Sequence, residues 1–247
     1  MIIKIFSNYS PNFLSIKRRS SQIKFLIFHY TGMKKETDAI NKLTSSKSNV
    51  SCHYFIKNKG EILLMVPDLY VSWHAGKSKW KNYKSLNKHS IGIEISNPGH
   101  SFNYKQFSNK QIQSLIKLSK ILIKKYKINP KYILGHSDIA PERKKDPGEK
   151  FPWRELAKQK IGVWHSISSE ILKKNRGIKL NKISENKFYK NLSRIGYNSE
   201  KIINLRNKNF KNYIIKAFQR RFRQELVNGK IDKECLIISE NLAKKFK

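Results

Sequence analysis

The strongest constraint on the fold is a pair of short apolar runs, each followed closely by a histidine. Residues 24–28 read Lys-Phe-Leu-Ile-Phe before His29, and residues 131–134 read Lys-Tyr-Ile-Leu before Gly135 and His136. Short apolar runs of this kind, bounded by turn residues, are typical of buried strands. We therefore predict two buried strands, each of which delivers a histidine to a loop.

Three more segments carry strand signals. Residues 52–56 and 61–66 flank the polar stretch 57–60, which ends in glycine, and this arrangement predicts a β-hairpin. Residues 90–95, Ser-Ile-Gly-Ile-Glu-Ile, form a further predicted strand.

The clearest helix lies between the last two predicted strands. Ser108 and Gln111 match a capping box, and apolar residues recur at helical spacing from there to Tyr126. Strands interleaved with a helix, together with a hairpin, predict an α/β domain with a mixed central β-sheet flanked by helices.

The remainder of the chain predicts a small all-α unit. We expect the α/β domain over residues 1–165, a linker or connecting helix over 166–187, and the helical domain over 188–247. Its helices are predicted over 187–195, over 210–226 and from about 232 onwards. Because so short a segment cannot bury enough apolar surface to form a stable core of its own, we expect it to pack on the first domain.

Several classes of protein are excluded by composition. No apolar run approaches the roughly 20 residues of a membrane-spanning helix. Cys52 and Cys235 are too few for a disulfide framework or a cysteine zinc site. The first 25 residues contain no ordinary secretory signal. From this we expect a cytoplasmic protein, and the sequence gives no indication of oligomeric state.

The charge leaves two explanations open. The chain has 52 basic and 17 acidic residues, a net charge of +35, which attracts polyanions. The basic residues are spread along the whole chain, as a lysine-rich codon bias would produce, whereas a nucleic-acid binder concentrates them on one element. We expect no nucleic-acid partner, and an anionic substrate or polymer stays the functional alternative to the codon bias.

Three side chains near strand ends could hold a metal ion. His29, His136 and Asp146 supply two imidazoles and one carboxylate, which leave the fourth position of a zinc ion open, as a catalytic site requires. Zinc would lower the pKa of water to about 7 and polarise a carbonyl. Glu94 could then act as general base, and Lys144 could stabilise a developing oxyanion.

Taken alone, this spacing does not establish a site. A histidine after a strand is more often packed or hydrogen-bonded than a ligand, and Glu94 by itself would most often be a surface ion-pair partner. Lys144 stands between Arg143 and Lys145, which is also the pattern of a solvated charge run.

A set of local motifs, in one order, resembles the zinc-dependent N-acetylmuramoyl-L-alanine amidases of the AmpD and AmiD kind. The resemblance runs from about Ser10 to Trp153. The motifs are His29-Tyr30-Thr31, Trp73-His74-Ala75-Gly76, Ser90-Ile91-Gly92-Ile93-Glu94, Gly135-His136-Ser137-Asp138-Ile139-Ala140-Pro141, Lys144-Lys145-Asp146-Pro147-Gly148 and Phe151-Pro152-Trp153.

The resemblance implies an enzyme with one zinc ion. By it, His29, His136 and Asp146 match the zinc ligands, and Glu94 and Lys144 match the catalytic pair. The family cuts the amide between the lactyl group of N-acetylmuramic acid and L-alanine in peptidoglycan or its fragments. The alternative is a binding module of the same fold that does not cut, although such relatives generally lack a metal ligand.

Other residues of these motifs are candidate substrate contacts. Trp73, His74 and Asn97 fall in segments that line the groove of such enzymes, and so does His53. Trp73 and Trp80 could also stack on sugar, although aromatic residues are more often part of a core. His100 matches no catalytic position.

The tail has a resemblance of its own. The segments 192–197, 217–222 and 229–232 are similar to a small helical peptidoglycan-binding domain. The tail could therefore bind the wall or only support the first domain. A wall-binding tail would fit a periplasmic location better than a cytoplasmic one. Whether the substrate is intact wall or an anhydro-muropeptide stays open.

Overall fold

The structure is a computed structural model that describes residues 3–198 and 208–246. A six-stranded mixed β-sheet lies at its centre. The strands of the described residues are β1 (Ile5–Ser7), β2 (Phe13–Leu14), β3 (Phe25–Tyr30), β4 (Tyr54–Ile56), β5 (Ile62–Leu64), β6 (Val71–Ser72), β7 (Lys79–Trp80), β8 (Tyr83–Lys84), β9 (Ser90–Ile95) and β10 (Ile133–Gly135). The helices are α1 (Glu36–Thr44), α2 (Asn109–Tyr126), α3 (His136–Ile139), α4 (Trp153–Lys158), α5 (Ser169–Asn175), α6 (Lys182–Ile195), α7 (Lys208–Phe222) and α8 (Lys233–Lys245).

The sheet has the order β1-β5-β4-β9-β3-β10. All neighbouring strands are parallel except β4 and β5, which form the antiparallel hairpin. The predicted α/β class and mixed sheet are therefore confirmed. The inner strands β3 and β9 are buried along almost their whole length, as expected where helices cover both faces of parallel strands.

Alternation along β3 divides the molecule into two sides. Leu26 and Phe28 point to one face and pack in the same cluster as the buried side of α2. Phe25 and Ile27 point to the opposite face and pack with the helices of the tail. Because successive side chains of a strand alternate, His29 shares its face with Phe25 and Ile27. The histidine therefore faces the tail side of the sheet.

Helix α2 forms where its sequence predicts it. The Ser108 hydroxyl accepts a hydrogen bond from the Gln111 backbone N–H, and the Gln111 side chain bonds back to the Ser108 N–H, which completes the capping box. The helix ends at Tyr126, and Lys127 adopts a left-handed conformation at its C-cap.

The tail packs on the first domain, as we expect from its size. Phe188 and Leu192 of α6, Phe218 of α7 and Leu242 of α8 belong to the same buried cluster as Phe25. Trp80, a candidate sugar-stacking residue, is only 1% exposed and lies in this cluster against Tyr197 of the tail, with ring centroids 4.9 Å apart. It is therefore a core residue.

Some boundaries differ from the sequence-based expectation. His29 and Tyr30 lie inside β3, and His136 begins a single helical turn instead of a loop. Helix α6 begins at Lys182 instead of 187, because Asn181 caps it by accepting a hydrogen bond from the Ser184 N–H. Part of the predicted helical domain, residues 199–207, lies outside the described residues. Among those described, no helix is both long and apolar enough to cross a bilayer.

Helix α2 is buried on one face and exposed on the other, and this difference gives a direct stability test. Leu115 is 0% exposed and Ile121, on the same helix, is 46% exposed. We expect Leu115→Ala to lower the free energy of unfolding by about 2–5 kcal/mol, because it leaves a cavity under the sheet. Ile121→Ala should cost no more than about 0.5 kcal/mol. Urea unfolding of both variants measures the difference, and equal losses would contradict the packing described.

Candidate metal centre and active site

The site is built at the carboxyl ends of three parallel strands. In the sheet register His29 of β3 lies opposite Glu94 of β9, and Gly135 of β10 lies opposite Phe28 of β3. His136 follows Gly135 directly, so it comes to the same edge as His29. Parallel pairing therefore brings together three residues that are far apart in the sequence.

The third candidate ligand returns to this edge from the following loop. The Ser137 backbone N–H donates to the Asp146 carbonyl at 2.8 Å, which folds the segment back on itself. The carboxylate oxygen Oδ2 of Asp146 then lies 3.0 Å from His29 Nδ1 and 3.1 Å from His136 Nδ1. The two Nδ1 atoms are 2.9 Å apart.

This triangle of atoms fits a tetrahedral metal ion. Zinc binds imidazole nitrogen and carboxylate oxygen at about 2.0–2.2 Å, so neighbouring ligand atoms of a tetrahedron are roughly 3.3 Å apart. The three observed separations are slightly shorter, and all three residues are buried. Among the described residues, His29, His136 and Asp146 thus form a candidate metal site with an open fourth side.

The far nitrogen of His136 supports this assignment. Its Nε2 lies 3.1 Å from the Ala75 carbonyl oxygen. A carbonyl can only accept, so Nε2 carries the proton and Nδ1 keeps its lone pair for a metal ion.

The far nitrogen of His29 is held by a chain of three groups. Its Nε2 lies 2.9 Å from His74 Nδ1, and His74 Nε2 lies 3.0 Å from the Ser90 hydroxyl, which donates to the Leu86 carbonyl at 2.6 Å. If His29 Nδ1 binds a metal, His29 Nε2 donates to His74 Nδ1, and His74 Nε2 donates to the Ser90 hydroxyl. The hydroxyl in turn donates to the Leu86 carbonyl, so each proton of this series has a single position. Gly92 makes room for it, because a Cβ there would lie 2.3 Å from His74 Cγ.

The electrostatics of the ligands favour the forms that bind a metal. Burial, followed by the proximity of His136, lowers the pKa of His29 to about 4, so this imidazole is neutral near pH 7. Burial alone would raise the pKa of Asp146. The charge and hydrogen bonds of His136 and His29 outweigh that and hold the pKa well below its usual range.

Glu94 is a half-buried residue beside this site, and its carboxylate oxygen Oε2 is buried. Its pKa is raised to about 8, chiefly by burial and secondly by the charge of Asp146, while Lys144 and Lys42 oppose the rise. Its Oε2 atom is buried without a hydrogen-bond partner among the described residues. An unpartnered carboxyl oxygen of this kind is available to a water or a substrate.

A cavity of about 380 Å³ opens over these groups. Glu94, His136 and Asp146 are in its wall, and Lys144 lines it as a half-buried side chain. Further cations stand around it, and none of them was a sequence-based candidate. They are Lys42, Arg143 and Lys145.

The candidate substrate contacts have different outcomes. Trp73 and His74 line the cavity, but His74 also supports His29. Asn97 is not brought into the lining, because its side chain donates to the Lys105 carbonyl at 2.9 Å and accepts from the Gly99 N–H at 3.0 Å. It holds a turn, so the structure does not place it as a substrate contact.

Two further histidines lie in places that the sequence did not predict. His53 is fully buried, and its Nδ1 accepts a hydrogen bond from the Gly92 N–H at 3.0 Å, so it packs beneath the site. His100 lines the cavity, where its ring nitrogens meet the Tyr30 hydroxyl at 2.8 Å and Glu149 at 3.0 Å. No local motif marks His100. Its partner Glu149 lies 49 residues later in the sequence, so no local spacing connects the two.

Comparison with known proteins decides the family. A family model described as N-acetylmuramoyl-L-alanine amidase matches residues 19–149. The chain is 34% identical to the N-acetylmuramoyl-L-alanine amidase AmiD of Escherichia coli K12, over 91% of this chain and 84% of that one. The chain belongs to the N-acetylmuramoyl-L-alanine amidase family. It is an enzyme that hydrolyses the amide between N-acetylmuramic acid and L-alanine in muropeptides, as the motifs predict.

Solved structures agree with this result. AmiD of E. coli, in complex with anhydro-N-acetylmuramic acid-L-Ala-D-γ-Glu-L-Lys, superposes with a TM-score of 0.79 and covers 91% of this chain and 90% of its own. AMPDH3 of Pseudomonas aeruginosa is 28% identical, with a TM-score of 0.78, over 94% of both chains. An AmpD structure, 26% identical with a TM-score of 0.55, covers 64% of this chain and 99% of its own.

The two roles of His74 can be separated by measurement. We expect His74→Ala to weaken zinc binding by about 10- to 100-fold, because the ring that orients His29 is lost. Its neighbour Trp73 lines the cavity without a contact to a ligand, so Trp73→Ala should raise KM and leave zinc affinity unchanged. Chelator competition gives the zinc affinities. An unchanged affinity in His74→Ala would leave His74 as a substrate contact only.

Proposed function

We propose that this chain is a one-zinc amidase in which Glu94 is the general base and Lys144 stabilises the oxyanion. The observation that carries the proposal is the free, buried Oε2 of Glu94 beside three convergent ligand atoms. A carboxyl is stable in such a place only when it is protonated or faces a positive charge. A cation held by His29, His136 and Asp146 would supply that charge.

The donor set supports zinc as that cation. Two imidazole nitrogens and one carboxylate oxygen, with the fourth position open, are the ligands of a catalytic zinc site. Zinc, when bound, supplies a Lewis acid that polarises the scissile carbonyl and acidifies water. The hydrogen bonds at the far nitrogens of His29 and His136 leave both Nδ1 lone pairs free, so these two atoms would bind the ion.

The protein's own groups carry the proton transfers. Glu94, as a carboxylate, takes a proton from the attacking water and later gives it to the departing L-alanine amine. Lys144 lines the same cavity and its charge already acts on Glu94, so it is near enough to stabilise negative charge on the carbonyl oxygen. Burial of these groups strengthens both effects, because little water screens them.

The substrate we propose is a muropeptide, including the anhydro form. AmiD of E. coli and AMPDH3 of P. aeruginosa have each been solved with an anhydromuramic peptide bound. The cations around the cavity fit the carboxylates of a peptide stem. The proposal extends to intact wall only if the cavity admits a polymer.

A defined muropeptide tests the proposal directly. Zinc-loaded protein should release a peptide that begins at L-alanine, and treatment with a chelator should abolish the release. Mass spectrometry of anhydro and intact fragments, incubated side by side, identifies the product and the preferred substrate. If neither fragment is cleaved by zinc-loaded protein, the chain is a binding module and not an enzyme of this kind.

Glu94 has a pH signature of its own. Because Glu94 works as the carboxylate, kcat/KM should fall as pH decreases through its pKa, and a bound cation moves that pKa below the metal-free value of about 8. Glu94→Gln should lower kcat by about 100- to 10,000-fold, without loss of zinc, and should remove this acidic limb. Near-normal turnover in a zinc-loaded Glu94→Gln variant would overturn the role of base.

The cytoplasmic location stays a prediction.

A further inference from the structure

Helix α7 and the residues just after it contact one particular segment of the first domain. This segment, residues 135–153, contains His136, Lys144 and Asp146, and we call it the ligand segment. In the part of the chain that the structure describes, hydrogen bonds, an ion pair and a cation–π contact link this helix and its exit to four residues of the ligand segment. The contacted residues are Asp138, Glu149, Phe151 and Trp153.

Asp138 is the centre of the first contact. Its Oδ2 accepts hydrogen bonds from Arg221 Nη1 at 2.5 Å and from the Gly135 N–H at 2.8 Å, and its Oδ1 accepts one from the Tyr197 hydroxyl at 2.8 Å. Asp138, Arg221 and Tyr197 are each no more than 2% exposed. A buried carboxylate satisfied in this way is rigid, because leaving any of its partners unpaired is costly.

Arg221 connects both ends of the ligand segment. Besides Asp138, its Nη2 donates to the Ile133 carbonyl of β10 at 2.9 Å, and its guanidinium stacks over Trp153 at 4.3 Å. A Cβ at Gly135 would meet Pro147 at 2.6 Å and Trp153 at 3.3 Å, so the two ends are in direct contact there. The planar, fork-shaped guanidinium suits this position, and a lysine could not make all three contacts.

The far end is held by two neighbours of Arg221. Gln224 Nε2 donates to the Phe151 carbonyl at 2.7 Å. Arg220, 9% exposed, lies 4.0 Å from Glu149, whose carboxylate holds the cavity residue His100 at 3.0 Å. The last turn of α7 and the residues just after it therefore hold Asp138, Glu149 and Phe151 in place.

The ligand segment has little regular structure to fix itself. Helix α3 is four residues long, too short to be stable on its own. We infer that Tyr197 and Arg221 are positioning residues, which act through Asp138 to hold His136 and Asp146 in metal-binding geometry. The function of the tail in this chain is then to complete the metal site, a conclusion that rests on the proposed zinc site.

The fold as such does not require this dependence. The region aligned with the AmpD structure covers 99% of that chain but only 64% of this one, so the fold exists without a tail of this size. Among the described residues, the tail supplies both partners of the buried Asp138 carboxylate that come from outside the ligand segment.

The test uses the full chain and a mild variant. Tyr197→Phe removes one hydroxyl and keeps the ring against Trp80. We expect it to weaken zinc binding by about 10-fold or more in chelator competition, as loss of supporting hydrogen bonds does elsewhere. The cobalt-substituted variant should show a changed visible absorption spectrum. Arg221→Lys should have the same direction of effect, and both should lower kcat more than they raise KM.

Two matched variants separate positioning from plain stability. Tyr189→Phe makes the same chemical change on α6, and Ile238→Val removes one methyl group from the tail core on α8 while every polar partner of Asp138 is kept. Both should keep the zinc affinity and cobalt spectrum of the unaltered chain, even where thermal unfolding shows a loss of stability.

The outcomes are distinct. If the unaltered chain binds zinc and cleaves muropeptide while Tyr197→Phe and Arg221→Lys keep its zinc affinity and cobalt spectrum, the positioning role is wrong and the proposed function stands. Zinc affinity that falls equally in Ile238→Val also overturns it, because stability alone would then explain the loss. If the unaltered chain binds no zinc, the proposed function itself fails.

Discussion

Parallel pairing of β3 with β9 and β10 is the constraint on which the site depends. It sets the carboxyl ends of three strands at one edge, so that His29 and Glu94 are neighbours in register and His136 follows at the same level. Alternation along β3 then puts His29 on the face that the tail covers, opposite α2. A shift of one residue in β3 would turn the histidine toward α2 and leave no site.

Burial gives this edge its chemistry. Burial keeps the His29 imidazole neutral near pH 7, and the Asp146 carboxylate stays ionised beside it. A hydrogen bond to the Ala75 carbonyl leaves Nδ1 of His136 free, and the carboxyl of Glu94 has a raised pKa. Together, these groups have an electrostatic imbalance that a bound cation would relieve. The same low dielectric makes every hydrogen bond to His29 and His136 more important, because no water replaces a lost partner.

Local pattern was sufficient for much of the fold and for the three residues of the candidate metal site. The capping box of α2, the hairpin and the apolar runs of β3 and β10 are short-range signals, and each predicted an element that the structure contains. The ligands His29, His136 and Asp146 were predicted because ordered motifs carry them. For Asn97 and Trp80 the motifs left the surroundings open, because a motif or an aromatic ring does not say whether a side chain faces a cavity, a turn or a core.

The sequence by itself determined the α/β class, the candidate metal ligands and the family, since strand pattern and motif order are written in consecutive residues. Only the tertiary structure decided what surrounds them. His74 proved to support His29, His100 came to the cavity, and Arg221 came to Asp138 over 83 residues of chain. Such contacts depend on how helices pack across a sheet, and no local spacing encodes that packing.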